Sequence, residues 1–168
     1  MKDEILDLVD ENDQVVGKAP RSYIYQNNLI HQIRAVWFFI RNKEGKLWIP
    51  KRTANKRNCP LALDASAVGH VETGESYEVA LYREVQEELN IDLSKFSVRE
   101  IGYFSPHKDG VKAFVKAYEI ESEEIPDYNK EDYLESYWLS PEEIIEKIKS
   151  GTYAKGDLSV LIKLLYFK

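Results

Sequence analysis

The sequence predicts an α/β fold, with a mixed sheet held between helices. Three observations carry this expectation. Runs rich in β-branched and aromatic residues flank one central segment: Gln32 to Arg41 before it, Val98 to Phe104 and Val111 to Tyr118 after it. The central segment places Tyr77, Leu81, Val85 and Leu89 on one stripe at helical spacing. Near the end, Leu158 to Phe167 forms an apolar amphipathic helix suited to covering a core. A chain of 168 residues is long enough for one domain with a sizeable core.

The elements follow in chain order. Ile5 to Val9 reads as a strand, and Glu11-Asn12-Asp13 as a turn into Val15-Val16-Gly17. Pro20 opens a short helix through Tyr25, because the fixed φ of proline suits a first helical turn. Gln32 to Arg41, a turn at Asn42 to Gly45, and Lys46 to Pro50 read as a hairpin. Leu63 to Val68 leads into the central helix, which Ser76 or Thr73 caps. Two strands follow, then an acidic, proline-containing connection from Glu121 to Lys130, then a strand from Leu134 to Leu139. Ser140-Pro141-Glu142-Glu143 starts a helix, with acids near the positive end of its dipole.

Composition narrows the function. The chain is 43% hydrophobic and 31% charged, with a formal net charge of −6. That acidity argues against a general binder of nucleic acid or membrane surfaces. The single cysteine, Cys59, leaves no internal disulfide framework and fits a reducing compartment. The most apolar run, Ala35 to Ile40, is too short to span a bilayer, and no signal peptide opens the chain, so a cytoplasmic location is expected.

The chemistry is concentrated between Gly69 and Ile91. Gly69 is followed by Glu75, then by Arg83-Glu84, Val85, Glu87-Glu88, Asn90 and Ile91. Glu84, Glu87 and Glu88 share one helix face, turned away from much of the apolar stripe. Three carboxylates there repel each other. Oxygen-only donors on one wall, with vacancies for water and phosphate, suit Mg²⁺ or Mn²⁺ better than zinc. The competing reading is a solvated acidic face, and the upstream Gly-Glu frame favours the metal site.

This stretch resembles the signature of the Nudix hydrolases, G-x5-E-x7-R-E-U-x-E-E-x-G-U, where U is a bulky aliphatic residue. One position departs: Asn90 stands where the family has Gly, and Asn is the next most tolerant of a left-handed backbone. The resemblance implies an α/β/α sandwich and a metal-dependent pyrophosphohydrolase. It implies that Glu84, Glu87 and Glu88 are catalytic and hold Mg²⁺ or Mn²⁺, with the backbone carbonyl of Val68 as a further ligand. It assigns Gly69, Glu75 and Arg83 supporting roles, with an Arg83–Glu75 pair fixing the loop from Gly69 to Gly74 against the helix.

The resemblance extends over most of Leu6 to Glu143, to the Nudix branch related to isopentenyl-diphosphate isomerase. LDLVDENDQVVGKAPRS looks like that branch's N-terminal extension, so residues 1–30 are expected to pack on a single domain spanning 1–168. In PKRTANK…LDASAVGHVETGES, Arg52 and Lys56 fall on basic positions that hold the substrate's diphosphate. Two cations four residues apart can neutralise a pyrophosphate. The isomerases carry a catalytic Cys directly before Gly-His, where this chain has Val68. They also use a Glu early in a later strand, whereas Val111 to Tyr118 has no carboxylate before Glu119. The expected reaction is therefore hydrolysis of a small diphosphate-containing substrate. That substrate is a nucleoside di- or triphosphate, or a nucleoside diphosphate linked to another moiety. The alternatives are an isomerase-like enzyme and a catalytically silent ligand sensor.

Three further questions stay open. His70 matches the isomerases' metal-binding His, with a loop His bonded to backbone as an equal alternative. Glu87 is the first choice for the base that activates water, with Glu131 and Asp132 as loop alternatives and Glu135 nearby. Trp37, Tyr23, Tyr25, Tyr103 and Phe104 either stack a nucleobase or belong to the core.

Overall fold

The structure, a computed structural model, describes residues 2–168. Strands β1 (Ile5–Val9) and β2 (Val15–Pro20) pair as an antiparallel hairpin, followed by helix α1 (Arg21–Gln26). Strands β3 (Arg34–Arg41), β4 (Leu47–Arg52) and β5 (Ala67–His70) precede helix α2 (Tyr77–Leu89). Then come β6 (Arg99–Phe104), β7 (Phe114–Glu121) and β8 (Tyr133–Leu139), and helices α3 (Pro141–Lys149) and α4 (Leu158–Tyr166). The main sheet runs β6-β7-β3-β4-β8, with β5 on β3. It is mixed, because β3 and β7 are parallel and the other pairs antiparallel.

The layers follow from alternation along β3. Val36, Phe38 and Ile40 pack with Leu81, Val85 and Leu89 of α2. Trp37 and Phe39 point the other way, to Ile144 of α3 and Leu161 and Ile162 of α4. A strand covered on both faces reads as a continuous apolar run, as Ala35 to Ile40 does. The result is the expected α/β/α sandwich. Among the described residues, no helix is long and apolar enough to cross a membrane.

Three details differ from the sequence expectations. Gln32 belongs to a short 3₁₀ turn, so β3 begins at Arg34. Val111 lies before β7, which runs on through Glu119 to Glu121. The expected β3–β4 hairpin is paired only at its base, Arg41 with Leu47.

The cause of the short hairpin is β5, which takes the same edge of β3 from Ala35 to Phe38. The incoming chain first follows β4, with Arg52 N–H donating to Ala62 O at 2.9 Å and Asp64 N–H to Pro50 O at 3.0 Å. It then crosses at the buried Ser66, whose Oγ accepts from Ile40 N–H at 2.9 Å and donates to Trp48 O at 2.8 Å. That hydroxyl supplies the partners a ladder would otherwise give. Beyond it the sheet forks, leaving a gap between β4 and β5.

The N-terminal hairpin is latched by its turn. Asp13 has φ 60°, a left-handed conformation that Asp tolerates. Its Oδ1 accepts from Arg34 Nε at 2.6 Å, and its Oδ2 from the hydroxyls of Tyr77 and Tyr103, both at 2.7 Å. Leu6, Ala19 and Ile24 pack beneath it on Ile33 and Ala113.

Candidate active site

Helix α2 is positioned at both ends. Ser76, not Thr73, is its N-cap, with Oγ accepting from Val79 N–H at 3.1 Å. Asn90 ends it at φ 54°, the left-handed conformation expected of the residue replacing Gly. The side chain of Asn90 also donates to Asp127 O at 2.6 Å, which ties the Glu121 to Lys130 connection to the helix end.

The glutamate face is less uniform than helical spacing suggests. Glu84 is buried, Glu88 half-buried and Glu87 exposed. Glu84 crosses the backbone of β5 at Gly69, where an added Cβ would lie 2.0 Å from its Cδ. Only glycine leaves that space, so Gly69 serves close packing of the carboxylate.

Arg83 organises the support. Its Nε and Nη2 donate to Glu75 Oε1 and Oε2 at 2.7 and 2.9 Å. Nη2 also reaches the carbonyl of His70 at 3.0 Å, and Nη1 reaches Glu84 Oε1 at 2.8 Å. Glu75 accepts Glu72 N–H at 2.9 Å, which closes the loop onto the helix. The Arg83 guanidinium holds the Glu75 carboxyl below its usual range. Arg83 to Glu87, the competing i, i+4 pair, is longer at 3.6 Å.

Burial pushes Glu84 up to about 7, against the pull of Arg83. Burial, and then the neighbouring Glu84, push Glu88 up to about 8. The hydroxyl of Tyr133, donating to Glu88 Oε2 at 2.6 Å, opposes that rise. Among the described residues no group of three or more His, Cys, Asp or Glu side chains forms a ready metal cage. The donors do fit a hard divalent cation in an open site: two crowded oxygen donors whose ionised forms a cation would favour.

These residues line a cleft of about 750 Å³ at the sheet fork, which Val68, Gly69 and His70 of β5 also line. Glu84, Glu87, Glu88, Arg52, Lys56 and Asp132 all reach it. Several are already engaged. Arg52 donates to Asp64 Oδ2 at 2.8 Å and to the carbonyls of Asn58 and Cys59. Lys56 is paired with Asp132. The exposed Glu131 lies outside the cleft lining, and its carbonyl accepts from Thr53 Oγ1 at 3.0 Å. His70 has Nδ1 on Glu4 Oε2 at 3.3 Å and Nε2 on the Tyr25 hydroxyl at 3.1 Å, and burial lowers its pKa. Both ring nitrogens are therefore taken by protein partners, from side chains and not from backbone.

Of the aromatic candidates, Trp37 and Tyr25 line the cleft. Tyr103 instead latches the hairpin, and Phe104 packs against the core beside α4. Sequence reasoning missed Tyr133, Asp64, Lys112 and Lys155. Asp64 is buried beside Arg52, and Lys155 stands 3.7 Å from it. Nothing local marks these residues: long-range crossings bring Lys112 and Lys155 to the cleft lining, and Tyr133 and Asp64 to the lining residues Glu88 and Arg52.

A family model described as the NUDIX domain matches residues 31–160. An uncharacterized Nudix hydrolase of Nostoc sp. is 51% identical over 163 residues, covering 97% of this chain and 96% of the relative. The crystal structure of a Deinococcus radiodurans protein superposes with a TM-score of 0.92 at 41% identity, covering 97% of this chain and 99% of that one. An isopentenyl-diphosphate Delta-isomerase of Photorhabdus laumondii is 37% identical, but over 90 residues, 54% of this chain and 50% of the relative.

Proposed function

The chain belongs to the Nudix family of hydrolases, and from that membership we propose that it cleaves a small diphosphate-containing substrate with the help of Mg²⁺ or Mn²⁺. One observation carries the reading: Glu84 and Glu88 are crowded in the cleft lining with pKa values raised to about 7 and about 8. Such a pair favours a bound cation. When bound by Glu84 and Glu88, with Val68 O beside them, the ion would supply charge neutralisation and a more acidic water.

The protein's own groups do the rest. Arg83 holds Glu84 and Glu75 in register, so the acids meet the substrate pre-oriented. Glu87, exposed and, among the described residues, linked only to Arg83 at 3.6 Å, is the carboxylate freest to accept a proton from water. Asp132 is the loop alternative, at the cost of its pairing with Lys56. Arg52 and Lys56 flank the diphosphate position, with Arg52 also bracing the loop after β4.

The geometry disfavours isomerase chemistry, which needs a proton donor and an acceptor on opposite faces of an alkene. Val68 offers no thiol. Glu119 is 3% exposed, held by Arg99 and by the Tyr166 hydroxyl at 2.7 Å, and lies outside the cleft lining. A nucleoside di- or triphosphate, or a nucleoside diphosphate conjugate, is the substrate class we favour. Incubation with a panel of such compounds plus prenyl diphosphates, with Mg²⁺ or Mn²⁺, tests this. Phosphate or pyrophosphate release from nucleotides is expected. Binding without turnover would support a sensor, and isomerised isopentenyl diphosphate would overturn the hydrolase reading.

A further inference from the structure

The cleft lining includes several basic side chains, although the chain carries a net charge of −6. Two lysines there come from segments distant in sequence. Lys112 precedes β7, and its N–H donates to Asp157 Oδ2 at 2.9 Å, which fixes that loop to the start of α4. Its ammonium lies against Gly156, where an added Cβ would stand 2.6 Å from Nζ. Lys112 makes no ion pair among the described residues. Lys155 is set by its own N–H to Leu63 O at 2.9 Å. Its ammonium sits 3.7 Å from Asp64 and 5.6 Å from the centre of the Trp37 ring.

We infer that Lys112, packed against Gly156, and Lys155, that glycine's neighbour in the chain, form an anion subsite for the substrate's second phosphoryl group. The inference rests on the hydrolase reading above and adds a requirement for at least two anionic groups in the substrate. Glu84 and Glu88 repel a bare phosphate, whereas these lysines attract one, so an extended anion is held with one phosphoryl group on the lysines. Because its charges act on a phosphoryl group in the ground state and the transition state alike, the subsite contributes binding more than rate.

The test compares wild type with Lys112→Ala/Lys155→Ala, and with Lys163→Ala, an exposed position on α4, as a charge control. Inorganic pyrophosphate is added and thermal stability read without turnover. Wild type and Lys163→Ala are expected to be stabilised, and the double variant to lose most of the shift. With a hydrolysed diphosphate, the double variant should raise KM about tenfold or more with kcat little changed. Gly156→Ala keeps both charges but pushes the Lys112 ammonium from its seat, so a smaller rise in KM is expected. No pyrophosphate shift in wild type, or an equal shift in the double variant, overturns the subsite. If no diphosphate is hydrolysed, the hydrolase reading fails, while the pyrophosphate measurement still decides the subsite.

Discussion

Glu84 and Glu88 are the residues on which the account turns. Replacing either by Gln keeps the shape and removes the carboxylate charge proposed to hold the cation. Turnover should fall by at least about 100-fold, because metal-assisted stabilisation of the transition state is worth several kcal/mol. Steady-state rates checked beside circular dichroism separate this from misfolding. The same pair gives a pH signature. Both carboxyls bind protons more tightly in the fold than at their ordinary 4.5. The unfolded chain therefore loses these protons first, and metal-free stability contributed here declines as pH rises from about 4.5 through about 8. Melting temperatures with chelator at pH 5 and pH 8 should fall less for Glu88→Gln than for wild type. Equal slopes would contradict the crowding of Glu88. Added Mg²⁺ should bind more tightly, and stabilise more, as pH rises.

At the scale of elements, α2 was readable because its signals are local. Ser76, the stripe from Tyr77 to Leu89, and Asn90 each act within a few residues of the helix, and the structure places a cap, a buried face and a left-handed end there. The helix start predicted at Ser140 is likewise present, and the structure adds a capping box there, with Glu143 Oε2 accepting Ser140 N–H at 2.7 Å. The fork between β4 and β5 was not readable, since it depends on which strand β3 pairs with across the fold. Nor was the hydrogen bond from Asn90 to Asp127, which makes the departure from Gly an anchor for the loop bearing Asp132. Asn90→Gly should leave α2 intact and cost about 1 kcal/mol in urea denaturation. Faster amide exchange across residues 122–132 would be its local sign, and unchanged exchange would count against the anchor. Arg83→Ala reaches further, because it frees Glu75, Glu84 and the His70 carbonyl together. Both stability and rate should drop, with the unfolding midpoint reporting the first and kcat the second.

Across the whole molecule, the cleft joins parts that the sequence presents separately. Gly69, Glu84 and Glu88 could be assigned from one stretch, but the partners of His70 come from Glu4 and Tyr25 at the far end of the chain. Lys155 joins the lining from another segment, and Tyr133 and Asp64 brace Glu88 and Arg52 from two more. Asp13 therefore has long-range consequences: its latch to Arg34, Tyr77 and Tyr103 holds the hairpin whose ends reach the cleft. Asp13→Ala should make residues 10–20 protease-sensitive and raise KM more than it lowers kcat. Unchanged cleavage and kinetics would show the latch to be dispensable. The most direct test of the central claim is phosphate release from a nucleoside diphosphate panel by wild type and Glu88→Gln, each with Mg²⁺, with Mn²⁺ and with chelator. The account predicts turnover by wild type that needs the cation and nearly vanishes in Glu88→Gln. Turnover unaffected by chelator, or equal in the two proteins, would contradict it.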